Sequence, residues 1–136
     1  MSAKIVIHAF IHDELKIQAR KTYPYECCGI LGGTNGLINT VYWINNIHYN
    51  PYINFLMEPY ELLSALKEFS KKQLVWRGVV HSHPLSAAIP SQEDLEFIPN
   101  LSPGMTYLIY SLSERVTNGY LTTNTSLQPV KVTYLR

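Results

Sequence analysis

Several features that would place this protein in a specialised class are missing from its sequence. The chain has 136 residues and a formal net charge of +1, and its basic residues are scattered except for Lys71 and Lys72. There is no positively charged patch of the kind that nucleic acid or an anionic membrane would need. No apolar run approaches the length of a transmembrane helix. Neither nucleic-acid binding nor insertion into a membrane is therefore expected.

Cysteine is also scarce, because the chain contains only Cys27 and Cys28. Neighbouring residues on a strand point to opposite faces, so these two thiols are not expected to form a disulfide with each other. The N-terminus lacks the long apolar run and the small-residue cleavage pattern of a secretory signal. These observations predict a protein of the reducing cytoplasm.

Most familiar catalytic motifs are absent as well. The sequence has no His-Glu-x-x-His helix, no Cys-x-x-Cys pair for a deaminase-type zinc site, no Gly-x-Ser-x-Gly elbow and no phosphate-binding glycine-rich loop. A Cys-His protease that uses Cys27 or Cys28 is disfavoured, because cysteines in an apolar strand are usually buried and inert. The catalytic groups, if there are any, must form a different pattern.

The hydrophobic pattern predicts one compact domain with a substantial core. Hydrophobic residues make up 46% of the chain and charged residues 15%, as in ordinary globular proteins. Segments with the periodicity of strands alternate with segments that have the periodicity of helices. We therefore expect an α/β fold in which a single mixed β-sheet is flanked by helices, within one domain over residues 1–136. The predicted strands are 4–10, 27–33, 37–45, 53–57, 74–83, 105–111, 117–123 and 130–135, and the predicted helices are 12–22, one that begins at Pro59, and 92–97.

Two of the five histidines stand out by their position. His81 and His83 follow the apolar residues 74–80, which are typical of a strand, so both imidazoles should project from the same face. A catalytic zinc ion typically has three protein ligands and keeps a fourth position for water, and Asp94 is the third candidate. The pattern predicts a zinc site at the end of this strand. The histidines for which an ordinary structural role is predicted are His8, His12 and His48.

The segment from Ser91 to Asp94 allows two interpretations. Serine followed three residues later by an acid resembles a helix capping box, and Pro90 fits the junction between a loop and a helix. A carboxylate in the first turn of a helix is also held rigidly, which suits a metal ligand. The two interpretations are compatible, so Asp94 remains a candidate for both roles.

An upstream acid completes a known pattern. Glu26-Cys27-Cys28-Gly29, followed by His81-x-His83-Pro84, Pro90-Ser91 and Asp94, resembles the metalloprotease motif of the JAMM (MPN+, Mov34/PAD-1) family. This motif is specific because it fixes five functional positions and two prolines over about 70 residues. The chain runs directly from helix to strand to metal loop, without the insertions of larger family members, so it resembles the minimal prokaryotic form.

This resemblance implies a fold and a set of roles. The implied fold is the JAMM/MPN domain, an α-β-α sandwich like that of cytidine deaminases. His81, His83 and Asp94 would bind one Zn²⁺ per chain, Glu26 would transfer the proton of the attacking water, and Ser91 would donate a hydrogen bond to the oxyanion. A fixed donor at that position is typically worth about 3 kcal/mol in the transition state.

The resemblance also implies a substrate class. Members of the family hydrolyse the amide or isopeptide bond after the C-terminal glycine of a ubiquitin-like protein, or of a sulfur-carrier protein in the prokaryotic group. Two alternatives remain at this point: a non-catalytic interaction module, since some members have lost the metal site, and a zinc amidase for a small molecule or short peptide. The intact set of five functional residues argues against the interaction module.

Overall fold

The computed structural model of the protein describes residues 4–136. Over this range seven strands and three α-helices follow one another in an order close to the predicted one. None of the described helices is long and apolar enough to cross a membrane. In chain order the elements are β1 (Lys4–His8), α1 (Ala9–Thr22), β2 (Cys28–Thr34), β3 (Leu37–Ile44), α2 (Pro59–Lys71), β4 (Val75–His83), α3 (Gln92–Phe97), a 3-10 helix (Ile98–Asn100), β5 (Thr106–Ser111), β6 (Val116–Thr122) and β7 (Leu127–Leu135).

All seven strands belong to one mixed sheet, in the order β1-β3-β2-β4-β5-β6-β7. The pairs β4-β5, β1-β7 and β1-β3 are parallel, and the remaining neighbours are antiparallel. The predicted mixed sheet flanked by helices is therefore confirmed. The sheet also closes on itself, because β7 pairs along β1 and β1 makes a short contact with β3 at Ile7 and Ile38.

The core lies on both sides of this sheet. Successive residues of β4 point to opposite sides of the sheet. Val79 packs in the cluster that contains Phe69 of α2, and Val80 packs in the cluster that contains Leu15 of α1. Burial of a side chain the size of Phe69 contributes roughly 2 to 3 kcal/mol. The two adjacent cysteines divide in the same way, since Cys28 lies in the first cluster and Cys27 in the second. Both thiols are free, as predicted.

One predicted strand, residues 53–57, is wrong. The β contact of this segment is an isolated bridge between Asn46 and Met57. Two backbone hydrogen bonds flank this bridge, from the N–H of Ile47 to Leu56 and from the N–H of Glu58 to Asn45. The side chain of Asn46 adds to them, because its Nδ2 donates to the carbonyl of Asn54 at 2.9 Å and to that of Glu26 at 3.1 Å. The segment is therefore a loop held by a short backbone pairing and a side chain, without the continuous ladder of a strand.

Candidate metal centre

The end of β4 brings two imidazoles together inside the protein. β4 is an interior strand with β2 on one side and β5 on the other, so its backbone is fixed up to His83. The Nε2 atoms of His81 and His83 lie 3.2 Å apart, and both side chains are buried. The rings converge because residues two apart on a strand share a face.

Asp94 joins these histidines from the first turn of α3. Its Oδ1 lies 2.8 Å from Nε2 of His81, and its Oδ2 lies 3.2 Å from Nε2 of His83. The orientation of the carboxylate follows from the helix cap: Ser91 Oγ accepts from the Asp94 backbone N–H, and Asp94 Oδ2 accepts from the Ser91 backbone N–H at 2.8 Å. The capping box and the approach of Asp94 to the histidines are thus one arrangement.

This donor set fits a zinc ion. One ligand atom from each of His81, His83 and Asp94 can be chosen so that all lie within 4.8 Å of one another. Ligands at tetrahedral corners about 2.0 Å from a zinc ion would be roughly 3.3 Å apart, close to the 3.2 Å between the two Nε2 atoms. The tautomer of His83 fits as well, because its Nδ1 is 2.7 Å from the carbonyl oxygen of Ala87, which can only accept. Nε2 of His83 is thereby left with a lone pair for a metal.

The charges at the site favour a cation. Burial by itself would raise the pKa of Asp94, but the neighbouring His81 and the hydrogen bonds from His83 and Ser91 hold this pKa well below its usual value. Burial would lower the pKa of His83, yet its hydrogen bonds to Asp94 and Ala87 raise it. The carboxylate is therefore held in its ionised form next to the imidazoles, and a cation could take the place of a proton in its contact with His83.

Glu26 lies just before β2 and reaches the same end of the sheet, because Cys28 of β2 pairs with His81 of β4. Its side chain is only 4% exposed. Burial raises the pKa of Glu26 to about 7, although the nearby His81 and His83 act in the opposite direction. Glu26 and Asp94 both line a cavity of about 30 Å³, which is comparable to the volume of one water molecule. A carboxyl group with this pKa can gain and lose a proton near neutral pH.

Ser91 lies beside the cluster, but its hydroxyl is already engaged. Its Oγ is 3.0 Å from Asp94 Oδ2, to which it donates, and it accepts from the Asp94 backbone N–H at 3.2 Å. The hydroxyl hydrogen can rotate about a single bond. Rotation would turn the donor away from Asp94, so the predicted role of Ser91 as an oxyanion donor requires this movement.

The residues that support the cluster from the far side lie outside the predicted motif. Tyr107 of β5 donates from its hydroxyl to Asp94 Oδ1 at 2.8 Å. Tyr120 of β6 donates to the carbonyl of Ala88 at 2.8 Å and so anchors the loop between His83 and α3. These tyrosines have no characteristic spacing from the histidines in the sequence. The one indication of their role is a hydroxyl group within an apolar strand, because a buried polar group needs a hydrogen-bond partner. The residues that anchor the carbonyl groups of this loop are Ser111, Asn118 and Tyr120.

The other three histidines lie outside the cluster and form local contacts. His8 caps α1 by accepting from the backbone N–H of Phe10. Nε2 of His12 is 2.9 Å from the hydroxyl of Thr117. The third, His48, stabilises its own loop by accepting from a backbone N–H two residues further on. These contacts agree with the structural roles predicted for all three.

The chain is similar to several proteins that are already known. The model of the prokaryotic homologues of the JAB domain matches residues 8–120. A desampylase from Pyrococcus furiosus is 34% identical over 95 residues, which cover 70% of this chain and 66% of that protein. A desampylase from Haloferax volcanii is 29% identical over 122 residues, 85% of this chain and 86% of the relative. A probable TtuB-protein conjugate cleaving protease from Thermus thermophilus is 30% identical over 84 residues, 62% of this chain and 56% of the relative. The chain thus matches about two thirds or less of the Pyrococcus and Thermus proteins.

Solved structures share the fold. The solution structure of a protein from Desulfitobacterium hafniense superposes with a TM-score of 0.83 at 31% identity and covers 96% of this chain and 92% of its own. The crystal structure of a JAB1/MPN domain protein from Archaeoglobus fulgidus gives a TM-score of 0.65 at 16% identity, with 96% and 99% covered. The second similarity supports the fold alone.

Proposed function

The chain belongs to the family of prokaryotic JAB-domain homologues, and from this premise we propose that it is a zinc-dependent isopeptidase. The proposed reaction is hydrolysis of the amide bond after the C-terminal glycine of a ubiquitin-like or sulfur-carrier protein. Relatives named desampylase and TtuB-protein conjugate cleaving protease support this substrate class. The observation that carries the proposal is the buried convergence of His81, His83 and Asp94 beside Glu26.

His81, His83 and Asp94 are the proposed ligands of one Zn²⁺ ion. When bound, zinc would lower the pKa of a water molecule to about 7 and polarise the carbonyl under attack. Two neutral imidazoles and one carboxylate would leave the site with a net charge of about +1. This charge would attract the carbonyl oxygen of the substrate.

Glu26 is the proposed general base and, later, the general acid. It would take a proton from the water whose oxygen forms the new bond to the carbonyl carbon, and it would return that proton to the nitrogen as the C–N bond breaks. Burial raises the pKa of Glu26 in the metal-free protein, whereas bound zinc would favour the ionised form that accepts the proton. Ser91 would rotate its hydroxyl towards the developing oxyanion and donate a hydrogen bond to it.

The test uses a ubiquitin-like protein joined through its C-terminal glycine to a reporter by an amide bond. The wild-type protein should cleave this fusion, a chelator should stop cleavage, and added zinc should restore it. Glu26→Gln should lower kcat by about 10² to 10⁴-fold because the proton acceptor is lost. Asp94→Asn should lose zinc binding together with activity. The matched control is Glu96→Gln, which alters an exposed acid on the same helix as Asp94 and should leave cleavage unchanged.

Cleavage that resists the chelator and persists in Asp94→Asn would refute the proposed mechanism. The alternatives give different results in the same assay. A short peptide with the sequence of the C-terminal tail should be cleaved more slowly than the folded fusion, and equal rates would favour a peptide amidase. Zinc binding without any turnover would favour an interaction module.

We further propose that residues 1–136 act as a single catalytic domain in the cytoplasm. The free and buried thiols of Cys27 and Cys28 are compatible with a reducing compartment. Fractionation of cells that express the protein, followed by detection in the soluble and membrane fractions, tests the location.

A further inference from the structure

Tyr107 lies directly behind the candidate metal centre, although it is outside the motif. Its side chain is fully buried, at 0% exposed. The hydroxyl donates to Asp94 Oδ1 at 2.8 Å, and the same oxygen lies 2.8 Å from Nε2 of His81. The hydrogen bond therefore restrains the carboxylate oxygen that faces His81.

The two oxygens of Asp94 are held from opposite sides. Oδ2 accepts from the backbone N–H and the hydroxyl of Ser91, as part of the helix cap. Hydrogen bonds to one oxygen alone restrain rotation of the carboxylate about its last side-chain bond only in part, because that torsion has a broad energy minimum. The second attachment, from Tyr107 to Oδ1, fixes the plane of the group. Ser91 and Tyr107 together thus determine where both oxygens point.

The ring of Tyr107 also contacts a second candidate ligand. Metal-binding histidines almost always donate their other ring N–H to a fixed acceptor, which sets the direction of the ring. Within residues 4–136, Nδ1 of His81 is buried and has no such partner. The ring of His81 packs instead against Phe55, with centroids 4.7 Å apart, and edge-on against Tyr107 at 5.2 Å. Tyr107 therefore supports two of the three candidate ligands, one through its hydroxyl and the other through its ring.

We propose that Tyr107 is a positioning residue that pre-organises Asp94 and His81 to bind zinc. The inference rests on the zinc site of the proposed function. Tyr107 is buried behind the ligands and acts through them, so removal of its hydroxyl should weaken zinc binding more than it lowers kcat at saturating zinc. Loss of such a supporting group typically lowers metal affinity by about 10- to 100-fold.

The experiment compares Tyr107→Phe with a matched control on the same strand. Tyr107→Phe keeps the ring that packs against His81 and removes the hydroxyl alone. In the control, Tyr110→Phe, the same atom is lost from a buried tyrosine on the opposite side of β5, in the other apolar cluster. Zinc affinity is measured by competition with a chromophoric chelator, and the melting temperature of the metal-free protein is measured in parallel. We expect a loss of zinc affinity of about 10- to 100-fold for Tyr107→Phe and less than about twofold for Tyr110→Phe.

Unchanged zinc affinity in Tyr107→Phe would overturn the inference, even if the melting temperature fell. An equal loss of affinity in both variants would also overturn it, because general packing would then be the cause. Zinc binding by the wild-type protein is measured first. If the wild type binds no zinc, the proposed function is refuted, and this result is distinct from any difference between the variants.

Discussion

Replacement of Glu26 by glutamine should make the metal-free protein more stable while it removes activity. Glu26 is buried, and burial raises its pKa from 4.5 to about 7. Between pH 4.5 and pH 7 this carboxyl is mostly ionised in the unfolded chain and mostly protonated in the folded protein. The stability of the folded state therefore falls as the pH rises from about 4.5 to 7, and it levels off above pH 7. Glutamine has no charge to bury, so Glu26→Gln removes this loss.

The size of the effect follows from the two pKa values. One pKa unit corresponds to about 1.4 kcal/mol, so ionisation of Glu26 costs the folded state about 1 kcal/mol at pH 5 and about 3 kcal/mol at pH 8. The advantage of Glu26→Gln over the wild type should thus grow by about 2 to 3 kcal/mol between these pH values. For a domain of this size that is roughly 10 °C in melting temperature.

The assay is thermal unfolding of the metal-free proteins in a chelator at pH 5 and pH 8. Glu14→Gln is the control, because Glu14 is an exposed acid on α1. Added zinc should reduce the advantage of Glu26→Gln, since a nearby cation favours the ionised carboxylate of the wild type. If Glu26→Gln is no more stable than the wild type at pH 8, or if its advantage does not grow with pH, Glu26 is not held in a desolvated site.

Two further substitutions test the scaffold of the centre. Ser91→Ala removes both the helix cap and the proposed oxyanion donor. It should lower the free energy of unfolding, measured by chemical denaturation, by about 1 kcal/mol and lower kcat by about 10² to 10³-fold. Ser91→Thr keeps a hydroxyl and should retain most of the stability. Unaltered kcat in Ser91→Ala would limit this residue to capping. Gly78→Ala would place a Cβ atom 1.9 Å from the carbonyl oxygen of Thr106 and force β4 away from β5. We expect the free energy of unfolding to fall by about 3 kcal/mol or more, and zinc binding at His81 to weaken. Gly36→Ala is the control, because a Cβ atom there meets nothing within 4 Å and only the left-handed φ of +78° opposes it. It should lower the free energy of unfolding by about 1 to 2 kcal/mol, and a loss as large as that of Gly78→Ala would contradict the clash.

Local chemistry made much of the fold and the candidate site predictable. The helix that begins at Pro59 has its proline in the first turn, where a missing N–H costs nothing, and the structure begins α2 there. The cap at Ser91 depends on four consecutive residues, and α3 begins immediately after it. His81 and His83 converge because strand geometry repeats every two residues. Each of these features depends on neighbours in the chain, so its signal is contained in a short window.

Features that depend on distant partners could not be predicted in this way. The segment 53–57 has the composition of a strand, but it pairs with residues 45–47 only over a short stretch, and the side chain of Asn46 holds its Asn54 and Leu56. The sheet closes where Lys4 of β1 pairs with Lys131 of β7. This pairing could not be predicted, because the periodicity of a strand does not indicate which strands become its neighbours. The hydroxyl of Tyr107 reaches Asp94 only because β5 lies beside β4.

The sequence by itself determined the chemical types at the site, because the spacing of His81 and His83 and the capping box at Asp94 are local properties of a strand and a helix. The tertiary structure decided how those groups behave. Burial raises the pKa of Glu26 towards neutrality, and a buried tyrosine orients Asp94. Desolvation and hydrogen-bond direction depend on which atoms surround a group in space, and that environment exists only once strands from distant parts of the chain have paired.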